Sequence, residues 1–149
     1  MRTVLFVLAV SLAACGGKGK SDTTTAAAET DNRPLFDRLG GKPAIAAVVK
    51  EFVATTGSDP RISAFFINAD IPRLEAIMVE HICSITGGPC EYKGKSMLES
   101  HTGMGVKQEH FDAFMDDLDK TLTKLDVPAR EKGEVIAAFN GMQGDIVNK

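Results

Sequence analysis

Cysteine and histidine are scarce in this 149-residue chain, three of each. The cysteines and histidines form no paired set with the spacing of a structural zinc site. His81, His101 and His110 fit no zinc-protease motif. Ser96 and Ser100 lie near His101 in the sequence, but no Gly-x-Ser-x-Gly elbow presents either, so a nucleophilic triad is unsupported. Charge of one sign is lacking too: the formal net charge is -3, which gives no general attraction to nucleic-acid phosphate or to an anionic lipid surface, and no nucleic-acid partner is expected. No apolar run approaches the roughly 20 residues needed to cross a bilayer as a helix. No alternating run suggests a sheet, and there is no internal repeat.

The hydrophobic content of 44% is enough for one packed core in one modest domain. Its beginning is marked off by composition. Arg2, the short apolar run Val4 to Val10, and Leu12-Ala13-Ala14 before Cys15 read as a secretory signal over residues 1–14. Leu12 to Cys15 also resembles a bacterial lipobox, in which the cysteine is acylated and becomes the first mature residue. Gly16 is not the aspartate associated with inner-membrane retention, so the expected location is the outer membrane, facing the periplasm, with contact to the bilayer through the lipid alone. Ordinary cleavage near Ala14 is the simpler alternative. Residues 15–33 then form a tether: from Gly16 to Asn32 there is no large apolar residue to repay the entropy of ordering. The folded domain is expected over 34–149.

Exported proteins live where disulfides persist. Lipidation of Cys15 leaves Cys83 and Cys90, separated by the turn signal Thr86-Gly87-Gly88-Pro89, which can fold the chain back and bring the two together. A disulfide is expected, as against two free thiols.

Beyond Pro34 the apolar spacing is helical nearly everywhere, and the expected class is all-α. Pro43 opens a helix with Ile45, Val48, Val49, Phe52 and Val53 inward, ending near Gly57 and Pro60. A second helix, capped by Asp70 with Pro72 in its first turn, carries Leu74, Ile77, Met78, His81, Ile82 and Ile85 and stops at Gly87-Gly88. A third runs from about Lys107 to Leu125 through Phe111, Phe114, Met115, Leu118 and Leu122. The last begins at Pro128 and carries Val135, Phe139, Met142 and Ile146. A glycine-punctuated loop from Gly88 to Gly105 holds the short segment Ser96 to His101. Periodicity by itself stops at an exported helical domain with an apolar interior.

Five segments carry a resemblance over Pro34 to about Val147. They are Leu35-Phe36-Asp37-Arg38-Leu39-Gly40-Gly41; Asp59-Pro60-Arg61 followed by Phe65-Phe66; Arg73-Leu74; Gly87-Gly88-Pro89 with Tyr92 and Gly94; and Met97 three residues before Ser100-His101-Thr102-Gly103. In this order and spacing they resemble a group I truncated haemoglobin. The resemblance implies a truncated globin, a two-over-two helical sandwich around haem b, and no Cys-x-x-Cys-His is present for covalent attachment. It places the proximal iron ligand on His101, whose neutral imidazole is a good donor to haem iron. Phe66 falls where the family stacks a phenylalanine on the porphyrin, with Phe52 and Phe65 in the pocket wall. Leu74, Met78 and Ile82 fall along the distal helix, and Met97, Met104 and Val106 along the proximal side. Tyr92, Lys93 and Lys95 fall where they can approach the propionates, although a solvated surface suits the lysines equally.

Departures from the family matter for function. Where many relatives place a tyrosine that donates to bound oxygen this chain has Val53, and where they often place a glutamine it has Met78. The expected activity is reversible binding of oxygen or another diatomic gas, nitric oxide or carbon monoxide, by a carrier rather than an enzyme. The alternative is a haem redox protein: either a nitric oxide dioxygenase, with a reductase as partner, or an electron carrier with Met78 as sixth ligand. Apolar packing is the default for Met78. His81, on the buried face, reads as an interior histidine, with a water-linked bond to the distal pocket left open. His110, near a helix start, reads as structural or exposed.

Overall fold

The structure is a computed structural model that describes residues 31–149. The signal segment, Cys15 and the tether up to Thr30 lie outside the described residues. Seven α-helices follow: α1 Leu35–Arg38, α2 Gly41–Ser58, α3 Ile71–Ile85, α4 Met97–His101, α5 Gln108–Lys124, α6 Ala129–Asn140 and α7 Gln143–Ile146, with a 3-10 turn at Ser63–Phe66 between α2 and α3. No strand occurs among the described residues, so the all-α expectation holds.

The long helices start where local chemistry allows. At α3 the Asp70 carboxylate accepts from the Arg73 amide at 3.2 Å, satisfying one of the orphan donors of the first turn. The Pro72 ring falls in that turn, where no intrahelical N–H is needed. At α2 the chain enters through Gly40 and Gly41, both at positive φ (94° and 74°); a Cβ on Gly40 would sit 3.1 Å from that of Ala44. α4 is short but sharply defined, because Ser96 and Glu99 form a reciprocal capping box: the Glu99 amide donates to Ser96 Oγ at 3.2 Å and the Ser96 amide to Glu99 Oε2 at 2.9 Å.

Helix α2 packs against α3 and α5, and α6 packs against α5, giving two helix pairs joined through α2. The seam between them is the main core, built from Ile45, Val49, Phe52, Val53, Val79, Ile82, Cys83, Leu118, Leu122, Val135 and Phe139. Burial of each large side chain here stabilises by about 1.5–3 kcal/mol. A smaller cluster of Val106, Phe111 and Ile146 lies under α7. The last apolar stretch is not one helix. It breaks at Gly141 and Met142, whose amides close onto Ala137 and Phe139 as the first helix ends, and α7 then turns Ile146 into the second cluster.

Two polar devices fix the ends. The Arg38 side chain, 5% exposed, bridges Glu131 (2.5 Å) and Glu134, tying α1 to α6. After α2, Arg61 grips the Asp59 carboxylate and reaches Asp116 on α5 at 2.9 Å, pinning the corner that leads into the 3-10 turn. The Arg61 guanidinium lowers the Asp59 pKa from 3.8 to about 2, chiefly by side-chain hydrogen bonding. A depressed carboxyl contributes stability above its unfolded pKa that is lost as pH falls through the folded one. Asp59→Asn is therefore expected to lower stability at neutral pH, and the gap to the parent protein should close between pH 3.8 and about 2. Urea-unfolding midpoints across that window check this; a gap independent of pH contradicts it.

The Cys83–Cys90 disulfide is formed, with Cα atoms 5.7 Å apart, joining the end of α3 to the loop before α4. Gly88 inside that loop is required by space: a Cβ there would meet the Phe36 ring at 2.4 Å and Cys83 Sγ at 2.7 Å. Closing so short a loop stabilises by about 2 kcal/mol, mostly by restricting the unfolded chain. The Cys83→Ala/Cys90→Ala double variant is expected to lose that amount in chemical denaturation under oxidising conditions, and the parent to match it only after reduction.

Candidate functional site

A cavity of about 370 Å³ opens between α3, α4 and the final helices, within the size range of small-molecule and cofactor sites. One wall is the α3 stripe Leu74, Ile77, Met78, His81 and Ile82, spaced at three and four residues so that all lie on one helix face. Another is α4 and the residues after it: Met97, Ser100, His101, Met104 and Val106. Ile62, Phe65, Phe66 and Ala69 come from the corner before α3, and Tyr92 from the segment between Cys90 and α4. His110, Phe111 and Phe114 of α5, Phe139 of α6, Met142 and Ile146 complete the lining.

Phe65, Phe66, Leu74, Met78, Ile82, Tyr92, Met97, His101, Met104 and Val106 therefore meet around one space. Phe52 and Val53 do not join them. They are 1% and 4% exposed within the main core, and the Phe52 ring stands edge-on to Phe114 with centroids 4.7 Å apart, so that Phe114 is the ring facing the cavity. Both belong to the core that the inner face of α2 forms with α3 and α5. Phe52 borders instead a second apolar space of about 300 Å³ beside α5 and α6. Lys93 and Lys95 are exposed and outside the lining, Lys93 paired with Glu91 at 3.3 Å.

His110 is structural, as its place near a helix start suggests, and it has a second role. It caps α5 by accepting the Lys107 amide on Nδ1 at 3.1 Å, and it also lines the cavity, its ring edge-on to Phe65 at 5.0 Å. Ile62, Ala69, Phe111, Phe114, Phe139, Met142 and Ile146 were legible only as apolar helix or corner positions. Nothing in their spacing separates a residue facing a cavity from one facing another side chain.

The polar groups of the lining are few and mostly engaged. His101 Nδ1 lies 2.7 Å from the carbonyl oxygen of Met97, one turn back on α4. A carbonyl accepts only, so Nδ1 carries the proton and donates, which leaves Nε2 as the lone-pair nitrogen. Metal-bound imidazoles are oriented by this kind of contact. Tyr92 donates its hydroxyl to the Lys95 carbonyl at 2.7 Å, and burial raises its pKa. His81 is half-buried, its ring centroid 4.8 Å from that of Tyr92. Burial lowers its pKa, which favours the neutral imidazole at neutral pH.

A helical domain whose apolar cavity of cofactor size receives an imidazole oriented by a backbone carbonyl has what a haem-binding protein of globin type requires. The chain belongs to the bacterial-like globin family, whose model matches residues 34–148. It is 32% identical over 120 residues to the group 1 truncated hemoglobin of Tetrahymena pyriformis, covering 79% of this chain and 99% of the relative. It is 31% identical over 112 residues to that of Mycolicibacterium paratuberculosis, covering 75% and 82%. Among solved structures, the truncated hemoglobin of T. pyriformis in its Fe(III) form superposes with a TM-score of 0.75 at 32% identity, over 78% of this chain and all of that one. The 2/2 hemoglobin of Synechococcus, in the cyanomet state and with covalently attached heme, gives 0.74 at 28% identity over 78% and 100%. The fold is thus the truncated two-over-two globin, and the family implies haem and the binding of a diatomic gas.

The residues present fit that cofactor. Its flat apolar faces match a lining dominated by Phe, Leu, Ile and Met side chains, and its iron needs the one nitrogen that His101 leaves free.

Proposed function

We propose that this chain holds haem b non-covalently, with His101 as the proximal iron ligand, and reversibly binds oxygen or a related diatomic gas. When bound, haem supplies the open iron position at which such a gas is held. The observation that carries the reading is the His101 to Met97 contact, which fixes the tautomer of the one α4 imidazole at the cavity. Leu74, Ile77, Met78 and Ile82 exclude water from the other wall and offer the gas no hydroxyl or amide donor. Phe65 and Phe66 close the corner and suit the porphyrin edge.

Visible spectroscopy of the purified ferrous protein tests this. A five-coordinate spectrum that shifts on adding oxygen supports the carrier reading; absence of a Soret band after haem reconstitution rejects it. The place of Met78 in the same wall favours one second reading, a redox protein with Met78 as sixth ligand. That reading requires a low-spin ferrous spectrum without added ligand, lost in Met78→Ala.

We further propose that Cys15 carries a lipid that holds the domain to the outer membrane, facing the periplasm, where a reductant must keep the iron ferrous. Support comes from Leu12 to Cys15 and from the Cys83–Cys90 disulfide, a bond favoured in oxidising compartments. A mobility shift on blocking lipoprotein maturation checks the anchor.

A further inference from the structure

We propose, resting on the haem-binding reading above, that His81 is the hydrogen-bond donor this chain offers to an oxygen atom of the cavity's occupant, and so sets its ligand specificity. Four observations carry it.

The first is the state of the polar groups around the cavity. Nδ1 of His101 and the Tyr92 hydroxyl each donate to a backbone carbonyl at 2.7 Å, and His110, which accepts the Lys107 amide on Nδ1 at 3.1 Å, has its Nε2 3.7 Å from the Glu109 carboxylate. Among the described residues, the side chains of His81 and Ser100 line the cavity without such a partner. Ser100 precedes His101 on the same short helix and so belongs to the wall that supplies the iron ligand. His81 belongs to α3, the other wall.

The second is the company His81 keeps on that wall. Leu74, Ile77, Met78 and Ile82 have no hydrogen-bond donor, so the imidazole is the one strong donor of the stripe. A half-buried imidazole at the edge of an apolar space is partly desolvated, and a leucine or phenylalanine at that helix position would avoid that cost. The cost is removed when something in the cavity accepts the N–H.

The third is how the ring is held. Its neighbour is Tyr92, at 4.8 Å between centroids, and the Tyr92 hydroxyl is anchored by Lys95. His81 stands two residues before Cys83 and Tyr92 two residues after Cys90, so the disulfide joins the two segments just beyond the ring pair. Tyr92 and the disulfide are thus positioning groups.

The fourth is chemical state. A neutral imidazole has one N–H to give, and burial favours that form.

Two oxygen acceptors fit: the outer atom of a bound gas, which gains partial negative charge, and a carboxylate at the edge of the macrocycle. They are separated by experiment on the haem-loaded protein. His81→Phe keeps a flat ring against Tyr92 and removes the donor, whereas His81→Gln retains one. Oxygen and carbon monoxide dissociation rates, the stretching frequency of bound carbon monoxide, and the rate of haem transfer to an apoglobin acceptor are measured for each. If the acceptor is the gas, His81→Phe speeds oxygen dissociation by roughly 10- to 100-fold, as expected for a hydrogen bond to a charged group. Carbon monoxide dissociation stays near the parent value while its stretching frequency shifts, and His81→Gln restores oxygen retention in part. If the acceptor is the macrocycle carboxylate, haem transfer accelerates instead and the oxygen to carbon monoxide ratio is unchanged. Parent-like values of all four quantities in His81→Phe overturn the proposal. Failure of the underlying haem reading shows separately, as absence of a Soret band after haem reconstitution of the parent protein.

Discussion

Replacing His101 by alanine is expected to abolish the five-coordinate ferrous spectrum and to weaken haem retention by more than the roughly 10- to 100-fold that loss of an outer-shell partner of a metal ligand usually costs. The reason lies in the division of labour within α4. The Ser96–Glu99 box starts the helix, the helix carries the Met97 carbonyl to within 2.7 Å of His101 Nδ1, and that contact aims the other ring nitrogen. An alanine leaves the carbonyl, the box and the apolar walls in place, so haem can still partition into the cavity but has no protein nitrogen from α4. Added imidazole should restore a parent-like spectrum in the variant, because the removed side chain leaves room for it. Haem transfer to an apoglobin acceptor, with and without imidazole, measures both effects. A variant that keeps the parent's spectrum and retention would show that another side chain holds the iron.

Met78→Gln is expected to slow oxygen dissociation by about one to two decades, with a far smaller change for carbon monoxide. Glutamine nearly matches methionine in length and volume, so the packing of α3 against the core should survive. What changes is that an amide donor enters a stretch of wall made of Leu74, Ile77 and Ile82. A hydrogen bond to a partly charged acceptor is worth about 1.5–3 kcal/mol, which corresponds to the rate change stated. Flash photolysis and stopped-flow mixing measure it. The same variant addresses the redox reading: were Met78 sulfur an iron ligand, the ferrous spectrum would pass from low to high spin before any gas was added.

The elements that bury a long apolar stripe were readable from residue order alone. Asp70 and Pro72 announced the start of α3, and the run from Phe111 to Leu122 announced α5. The four-residue helix α1 and the 3-10 turn at Ser63–Phe66 were not readable as helices, because one turn has no periodicity; the first is held by Arg38 and the second follows a corner gripped by Arg61, both through distant partners. The break before α7 was signalled by Asn140-Gly141, yet Met142 and Ile146 keep helical spacing across it and conceal it.

The site shows the same division. The resemblance brought ten of the cavity residues together because motif order survives divergence. It also named Phe52 and Val53, which pack in the main core and are not in the lining, a distinction that depends on tertiary packing and not on motif order. His110 reads from the sequence as structural or exposed, which its capping bond to Lys107 bears out, whereas its second role in the cavity lining is invisible in spacing. The unpartnered state of His81 could only be found by checking each polar neighbour in three dimensions.

The covalent ring closed by Cys83 and Cys90 has a consequence for how the cofactor is acquired. Its two ends belong to the segment carrying Met78 and His81 and to the segment leading into Ser96 and His101. The two segments that flank the macrocycle are thus tied together before it arrives. Part of the ordering entropy of assembling the two walls is then spent before the disc arrives, and an oxidised apoprotein should take up haem faster than a reduced one.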